Sequence, residues 1–129
     1  MFNINNLRAW FQQAPYLVFW VAVFCTTSAI ALTVQLIVLP YLFPGLHAGN
    51  GLLVGGDWVS FHDVASRLAE EINAQGWQAW TLRPAGQSTA GIAAAIYALT
   101  VSEPYVLIPL NAALHATAGV TLMHIARYL

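Results

Sequence analysis

The chain has 129 residues, of which 59% are hydrophobic and only 7% charged, with no lysine and a formal net charge of -1. Soluble domains carry roughly 25% charged residues, so this balance excludes an ordinary soluble domain and points to a membrane protein. The four arginines, Arg8, Arg67, Arg83 and Arg127, are scattered rather than clustered, which excludes a nucleic-acid-binding face.

Residues 16–43, YLVFWVAVFCTTSAIALTVQLIVLPYLF, contain no charged side chain. At 1.5 Å per residue the first two dozen of them reach about 36 Å, enough to cross a hydrocarbon core of about 30 Å. A cleavable signal peptide fits less well, because the run is about twice a usual signal core and no A-x-A pattern follows before Pro40 and Pro44. The expectation is an uncleaved transmembrane helix over 16–40, with Trp10, Tyr16, Trp20 and Tyr41 near its ends in the interfacial aromatic belts. Cys25 lies inside it as a small packing residue, and a single cysteine forms no internal disulfide.

Loop chemistry begins at Pro44-Gly45-Leu46-His47-Ala48-Gly49-Asn50, and polar sequence continues to about Gln87. Within it, Phe61, Val64, Ala65, Leu68, Ala69 and Ile72 follow the spacing of one helical face, which predicts an amphipathic helix over about 58–75 lying on the membrane surface. Asp63, Arg67 and Glu71 are spaced by four on the opposite side, and Glu70 joins them, as a solvated and self-neutralising stripe.

Asp57 precedes this helix after Gly55-Gly56. Its carboxylate can serve as the helix N-cap; alternatively Ser60, with Asp63 three residues on, takes the cap and leaves Asp57 for chemistry. His62 reads as a surface histidine, since a metal ligand would need further ligands at defined spacing. No His, Cys and carboxylate cluster has metal-ligand spacing, so no structural zinc is predicted.

Trp77, Trp80 and Arg83, in GWQAWTLRPAGQ, form either an interfacial anchor or a cation beside a phosphate headgroup, to which Gln87 would add a hydrogen bond. The apolar run GIAAAIYALTV belongs to a short juxtamembrane helix over 88–101; the competing reading makes 88–103 a third span. A second full span is predicted over 104–128, where Pro109 falls in the first turns. Inside it, Asn111 and His115 share a face as interhelical or functional groups, and Ala112, Ala116 and Gly119 permit close approach of another helix.

The fold class is therefore an all-α membrane protein in which two transmembrane helices flank an external segment, residues 44–103, containing two amphipathic or juxtamembrane helices. Arg8 and Arg127 at membrane ends place both termini in the cytoplasm by the positive-inside rule. Two spans cover little of each other, so the chain is expected to be an N-terminal piece of a longer protein, or a subunit that packs on further transmembrane helices.

A spanning helix, then GDWVSFHDVASRLAEEI, a tryptophan-rich turn, a short apolar helix and a long apolar segment ending in IARYL together resemble the N-terminal part of GT-C superfamily integral-membrane glycosyltransferases. The bacterial protein mannosyltransferase and aminoarabinose transferase types are the nearest in pattern. Asp57, Phe61 and Ala65 match their D-x-x-x-aromatic-x-x-x-A pattern, with Phe61 where tyrosine is more usual; only Arg83-Pro84 stands for the proline pair that often follows. The resemblance implies sugar transfer from a polyprenyl-phosphate donor to an acceptor on the external face of a bacterial inner membrane. In that reading Asp57 is the general base, or holds the acceptor or a metal; Arg83 stabilises the phosphate leaving group, and His62 and Gln87 contact substrate. The alternatives are a non-catalytic membrane subunit whose amphipathic helix docks a partner, and a fragment of a transporter or channel built around Asn111 and His115.

Overall fold

A computed structural model describes residues 15–86 and 89–128, and these are mostly helical. Helix α1 (Tyr16–Thr33) runs into a π-helical stretch, Val34–Leu42, that contains Pro40. A β-hairpin follows, β1 (His47–Gly49) paired antiparallel with β2 (Leu52–Leu53). Then come α2 (Trp58–Gln75), a bend with single 3-10 turns at Trp77–Ala79 and Pro84–Gly86, α3 (Ala90–Leu99), a 3-10 turn at Pro104–Leu107, and α4 (Ile108–Tyr128). Two helical stretches, Tyr16–Leu42 and Pro104–Tyr128, are long and apolar enough to cross a membrane.

The described residues divide into two compact units, one built from the start of α1 with most of α4, the other from residues 31–108. In the first, the two helices meet in opposite directions. The Tyr16 hydroxyl is 3.0 Å from His124 Nδ1, and the Trp20 indole N–H donates to Thr117 Oγ1 at 3.1 Å. Gly119 lies against the Phe19 ring. Ala112, Ala116, Gly119 and Met123 follow one face of α4; the two alanines and the methionine are buried. Small residues at this spacing let helices approach where no water-driven force is available. Asn111 and His115 contribute differently from their reading as interhelical groups. His115 Nδ1 donates to the Asn111 carbonyl oxygen at 2.7 Å, so its polarity is met within its own helix. The hydrogen bond between α1 and α4 belongs instead to Trp20 and Thr117.

The second unit is organised around the packing of α2 on α3. Ala65, Leu68, Ala69 and Ile72 of α2 form one buried cluster with Ala90, Ala93, Ala94 and Tyr97 of α3. The apolar stripe of α2, which its amphipathic spacing assigns to the membrane surface, is thus covered by α3. Five of the eight cluster residues are alanines, so the helices approach with little side chain between them. With ten residues, α3 is about 15 Å long and cannot cross a hydrocarbon core of about 30 Å, which leaves no structural basis for a third span.

The bend after α2 is fastened to the start of α3. The Trp80 indole N–H donates to the Gly91 carbonyl oxygen at 2.8 Å, and the Gly91 N–H donates to the Leu82 carbonyl oxygen at 3.3 Å. A side chain on Gly91 would meet the Thr81 carbonyl oxygen and, at 2.6 Å, Leu82 backbone atoms. Only glycine permits this approach.

The β-hairpin departs from the all-α reading. Its strands of three and two residues are too short to show alternation, and the turn Gly49-Asn50-Gly51 has positive φ at all three positions. The Gly51 N–H donates to His47 Nε2 at 3.0 Å, which closes the turn.

Gly91→Ala is expected to destabilise the inter-span unit by about 1–3 kcal/mol, because the added carbon meets backbone that cannot rotate away. The measurement is the thermal unfolding midpoint in detergent, with a shift in Trp80 fluorescence as its hydrogen bond to residue 91 is disturbed. Gly119→Ala is expected to be close to neutral: its neighbour is a ring edge at 3.3 Å that can yield, and alanine gains about 1 kcal/mol in helix propensity.

Candidate functional site

The backbone places Asp57 at the position that precedes the first helical residue of α2, and its carbonyl oxygen accepts the Phe61 N–H at 2.8 Å. Ser60 is therefore inside the helix and is not the cap. Yet the Asp57 carboxylate makes no cap hydrogen bond either, since the residue has helical dihedrals, φ -68 and ψ -4, that turn its side chain away from the amides of the first turn. It is exposed, and it stands at the positive end of the α2 dipole, where a negative charge is stabilised. This combination leaves the carboxylate open to solvent.

His62 stands five residues on, about 140° further around the helix, and turns towards α3. Its Nδ1 is 3.1 Å from the Tyr97 hydroxyl, with the rings edge to face at 5.6 Å between centroids. The direction of that hydrogen bond follows the imidazole tautomer. Burial, with a further contribution from the Glu103 carboxylate, pushes the Tyr97 phenol up to about 12, so the phenol stays neutral across the physiological range. His62, Tyr97 and Glu103 thus gather at the end of the helix pair where α2 begins and α3 finishes.

Arg83 is exposed in the bend, one residue before Pro84. No hydrogen bond or ion pair joins it to Asp57 or His62 among the described residues, so the structure does not bring these three site residues together. Gln87 lies outside the described residues.

A shallow cleft of about 350 Å³ lies where the bend returns along α2. Its walls include Val64, Arg67, Leu68 and Glu71 of α2 and Thr81, Pro84 and Ala85 of the bend. Arg67 is the cation of this cleft, a residue that its spacing with Asp63 and Glu71 assigns to a solvated stripe. The stripe is exposed, but Arg67 Nε donates to the Asp63 carbonyl oxygen at 3.2 Å rather than to a carboxylate. The same four-residue spacing that suggests ion pairs also puts Val64, Arg67, Leu68 and Glu71 on one side of the helix. What the sequence does not signal is that residues 79–85 fold back over that side.

Among the described residues no group of three or more His, Cys, Asp or Glu is arranged to hold a metal ion. No protein-family model matches the chain, and comparison with curated proteins and with solved structures finds no match.

The buried phenol gives a signed pH prediction. The Tyr97 value is raised in the folded chain, so its contribution to stability is fully present below about 10 and is lost as pH rises through about 12. Tyrosinate absorbance should show one phenol ionising last, and Tyr97→Phe should remove that step. Stability of the wild-type chain in detergent should fall across the same interval, and more steeply than that of the Tyr97→Phe variant.

Proposed function

We propose that the chain is the N-terminal region of a membrane glycosyltransferase that moves a sugar from a polyprenyl-phosphate donor to an acceptor hydroxyl on the external face. The observation that carries this reading is the Asp57 carboxylate: exposed, uncapped and held at the start of a helix in the segment between two candidate spans. A lipid-linked donor keeps its hydrocarbon in the bilayer and presents its phosphate and sugar at the interface. The reaction therefore needs its base on a segment that lies next to spanning helices. Asp57 takes the proton of the acceptor hydroxyl as that oxygen bonds to the anomeric carbon. The bond from that carbon to the phosphate oxygen breaks, and the charge gained by the leaving phosphate is met by a cation. Arg83 supplies it, with Arg67 in the neighbouring cleft as a second guanidinium. His62 orients the acceptor through the ring nitrogen that Tyr97 does not use, and Gln87 adds a substrate hydrogen bond.

The same reading places the two candidate spans in a bacterial inner membrane with both termini in the cytoplasm, packed on further transmembrane helices that complete the cavity. The alternative, a non-catalytic subunit that docks a partner through the apolar face of α2, is weakened by the packing itself: α3 already occupies that face.

In membranes containing the full reading frame, Asp57→Asn is expected to lower transfer of labelled sugar from a polyprenyl-phosphate donor by about 10²–10⁴-fold, the usual contribution of a general base. Helical content should be unchanged, because the carboxylate makes no cap bond. Asp63→Asn, on the solvated stripe, should stay within about twofold of wild type. Equal activity of Asp57→Asn and wild type would refute the assignment.

A further inference from the structure

We propose that Asp57 and Trp58 together form the acceptor subsite, and that the acceptor is a carbohydrate whose ring stacks on the Trp58 indole. Trp58 is the first residue of α2 and is 61% exposed, although its ring is large and apolar. That ring is also held in place. A side chain on Gly56 would meet it at Cδ1 and, at 2.5 Å, at Nε1, so the indole folds back over residue 56 into space that a glycine leaves open. Reaching from residue 58 to residue 56, it passes alongside the residue that carries the carboxylate. Neither side chain is spent on the protein: among the described residues, the Asp57 carboxylate and the Trp58 indole N–H have no hydrogen-bond partner.

The chemistry of the pair identifies the ligand. A pyranose offers a face of C–H groups and a rim of hydroxyls. An indole face covers the first, while an indole N–H donates to one oxygen of the rim and a carboxylate accepts from one of its hydroxyls. The hydroxyl of a peptide side chain would use the carboxylate and leave the exposed ring uncovered. A membrane anchor would use the ring, but an anionic lipid surface repels the carboxylate beside it. A ring-shaped polyol uses all three groups. The inference rests on the sugar-transfer reading for the role of Asp57 and adds the class of its acceptor. Trp58 holds the acceptor ring so that one hydroxyl meets Asp57. The proton of that hydroxyl passes to the carboxylate as its oxygen bonds to the anomeric carbon and the phosphate leaves.

The test has two arms. In the first, methyl hexopyranosides are titrated against the full chain in a zwitterionic detergent without a sugar headgroup, and saturation-transfer NMR reads which ligand protons touch the protein. Wild type is expected to saturate the C–H protons of one ring face. Trp58→Leu should weaken binding about five- to tenfold and remove that pattern, and Trp58→Phe, which keeps a ring, should retain most of it. Gly56→Ala, which displaces the indole without removing it, should weaken binding as Trp58→Leu does. Asp63→Asn should bind within about twofold of wild type. In the second arm, sugar transfer is followed in membranes containing the full reading frame. Trp58→Leu should raise KM for a glycoside acceptor about five- to tenfold and leave kcat nearly unchanged, whereas Asp57→Asn lowers kcat. The acceptor assignment is overturned if wild type binds no glycoside, if Trp58→Leu and Gly56→Ala both bind as wild type does, or if a serine peptide competes as well as the glycoside. It is also overturned if Trp58→Leu weakens binding to phospholipid vesicles and not to glycosides, which would make the indole a membrane anchor. Unchanged glycoside binding in both Trp58→Leu and Gly56→Ala, with transfer lost in Asp57→Asn, refutes the subsite alone. Glycoside binding lost in Trp58→Leu, with transfer unchanged in Asp57→Asn, supports the sugar site and refutes the base.

Discussion

The inter-span unit depends on one close approach, that of the first turn of α3 to the backbone of residues 81 and 82, which a residue with a Cβ would block. The Trp80 indole locks the approach by donating to the Gly91 carbonyl oxygen. Once α3 is fixed at that end, its direction along α2 follows. Ala90, Ala93, Ala94 and Tyr97 join Ala65, Leu68, Ala69 and Ile72 in one buried cluster, and their apolar surfaces leave water together. The small side chains matter as much as the apolar ones. They bring the backbones near enough for His62 and Tyr97, at the far end of the pair, to reach each other.

That arrangement explains why the ionisable groups of one short stretch have such different fates. His62 is drawn into the interhelical contact, Arg67 and Glu71 line the cleft while remaining exposed, and Asp63 and Glu70 stay in solvent. Asp57 escapes all three outcomes because it precedes the helix. Its backbone closes the first helical hydrogen bond, and its side chain neither caps nor pairs. A carboxylate in that position gains from the helix dipole without spending an oxygen on the helix. It is well placed to act on something that approaches from outside the chain, which is why the proposed reaction is built on it.

Much of this was legible in the sequence, because the relevant signals are periodic. The spacing of Phe61, Val64, Ala65, Leu68, Ala69 and Ile72 defines the inward face of α2, and uninterrupted apolar length defines the two long helices. The readings that failed share a cause: each depended on a second segment whose position no local pattern records. The stripe on α2 reveals an apolar partner but not whether that partner is lipid or α3. His115 reads as an interhelical donor, but its own helix supplies an acceptor one turn away. The hairpin at His47–Leu53 was hidden for another reason, since strands this short are held by a turn and a histidine acceptor rather than by side-chain alternation.

The two units also divide the chemistry of the chain. In the inter-span unit, acids outnumber arginines, and the exposed Asp57 carboxylate stands at the start of α2. In the unit formed by α1 and α4, the side chains that join the two helices are indole, phenol, hydroxyl, imidazole and guanidinium, none of them an acid. Such groups serve a helix pair in two ways. Along their length, the Trp20 indole donates to Thr117 Oγ1, and the threonine hydroxyl in turn donates to the Ala113 carbonyl oxygen. At the end, Tyr16, His124, Arg127 and Tyr128 collect through ring and sulfur contacts. The absence of acidic side chains from both helices and their concentration in the inter-span segment follow one physical logic, since a carboxylate is costly inside an apolar helix pair and cheap where water reaches it.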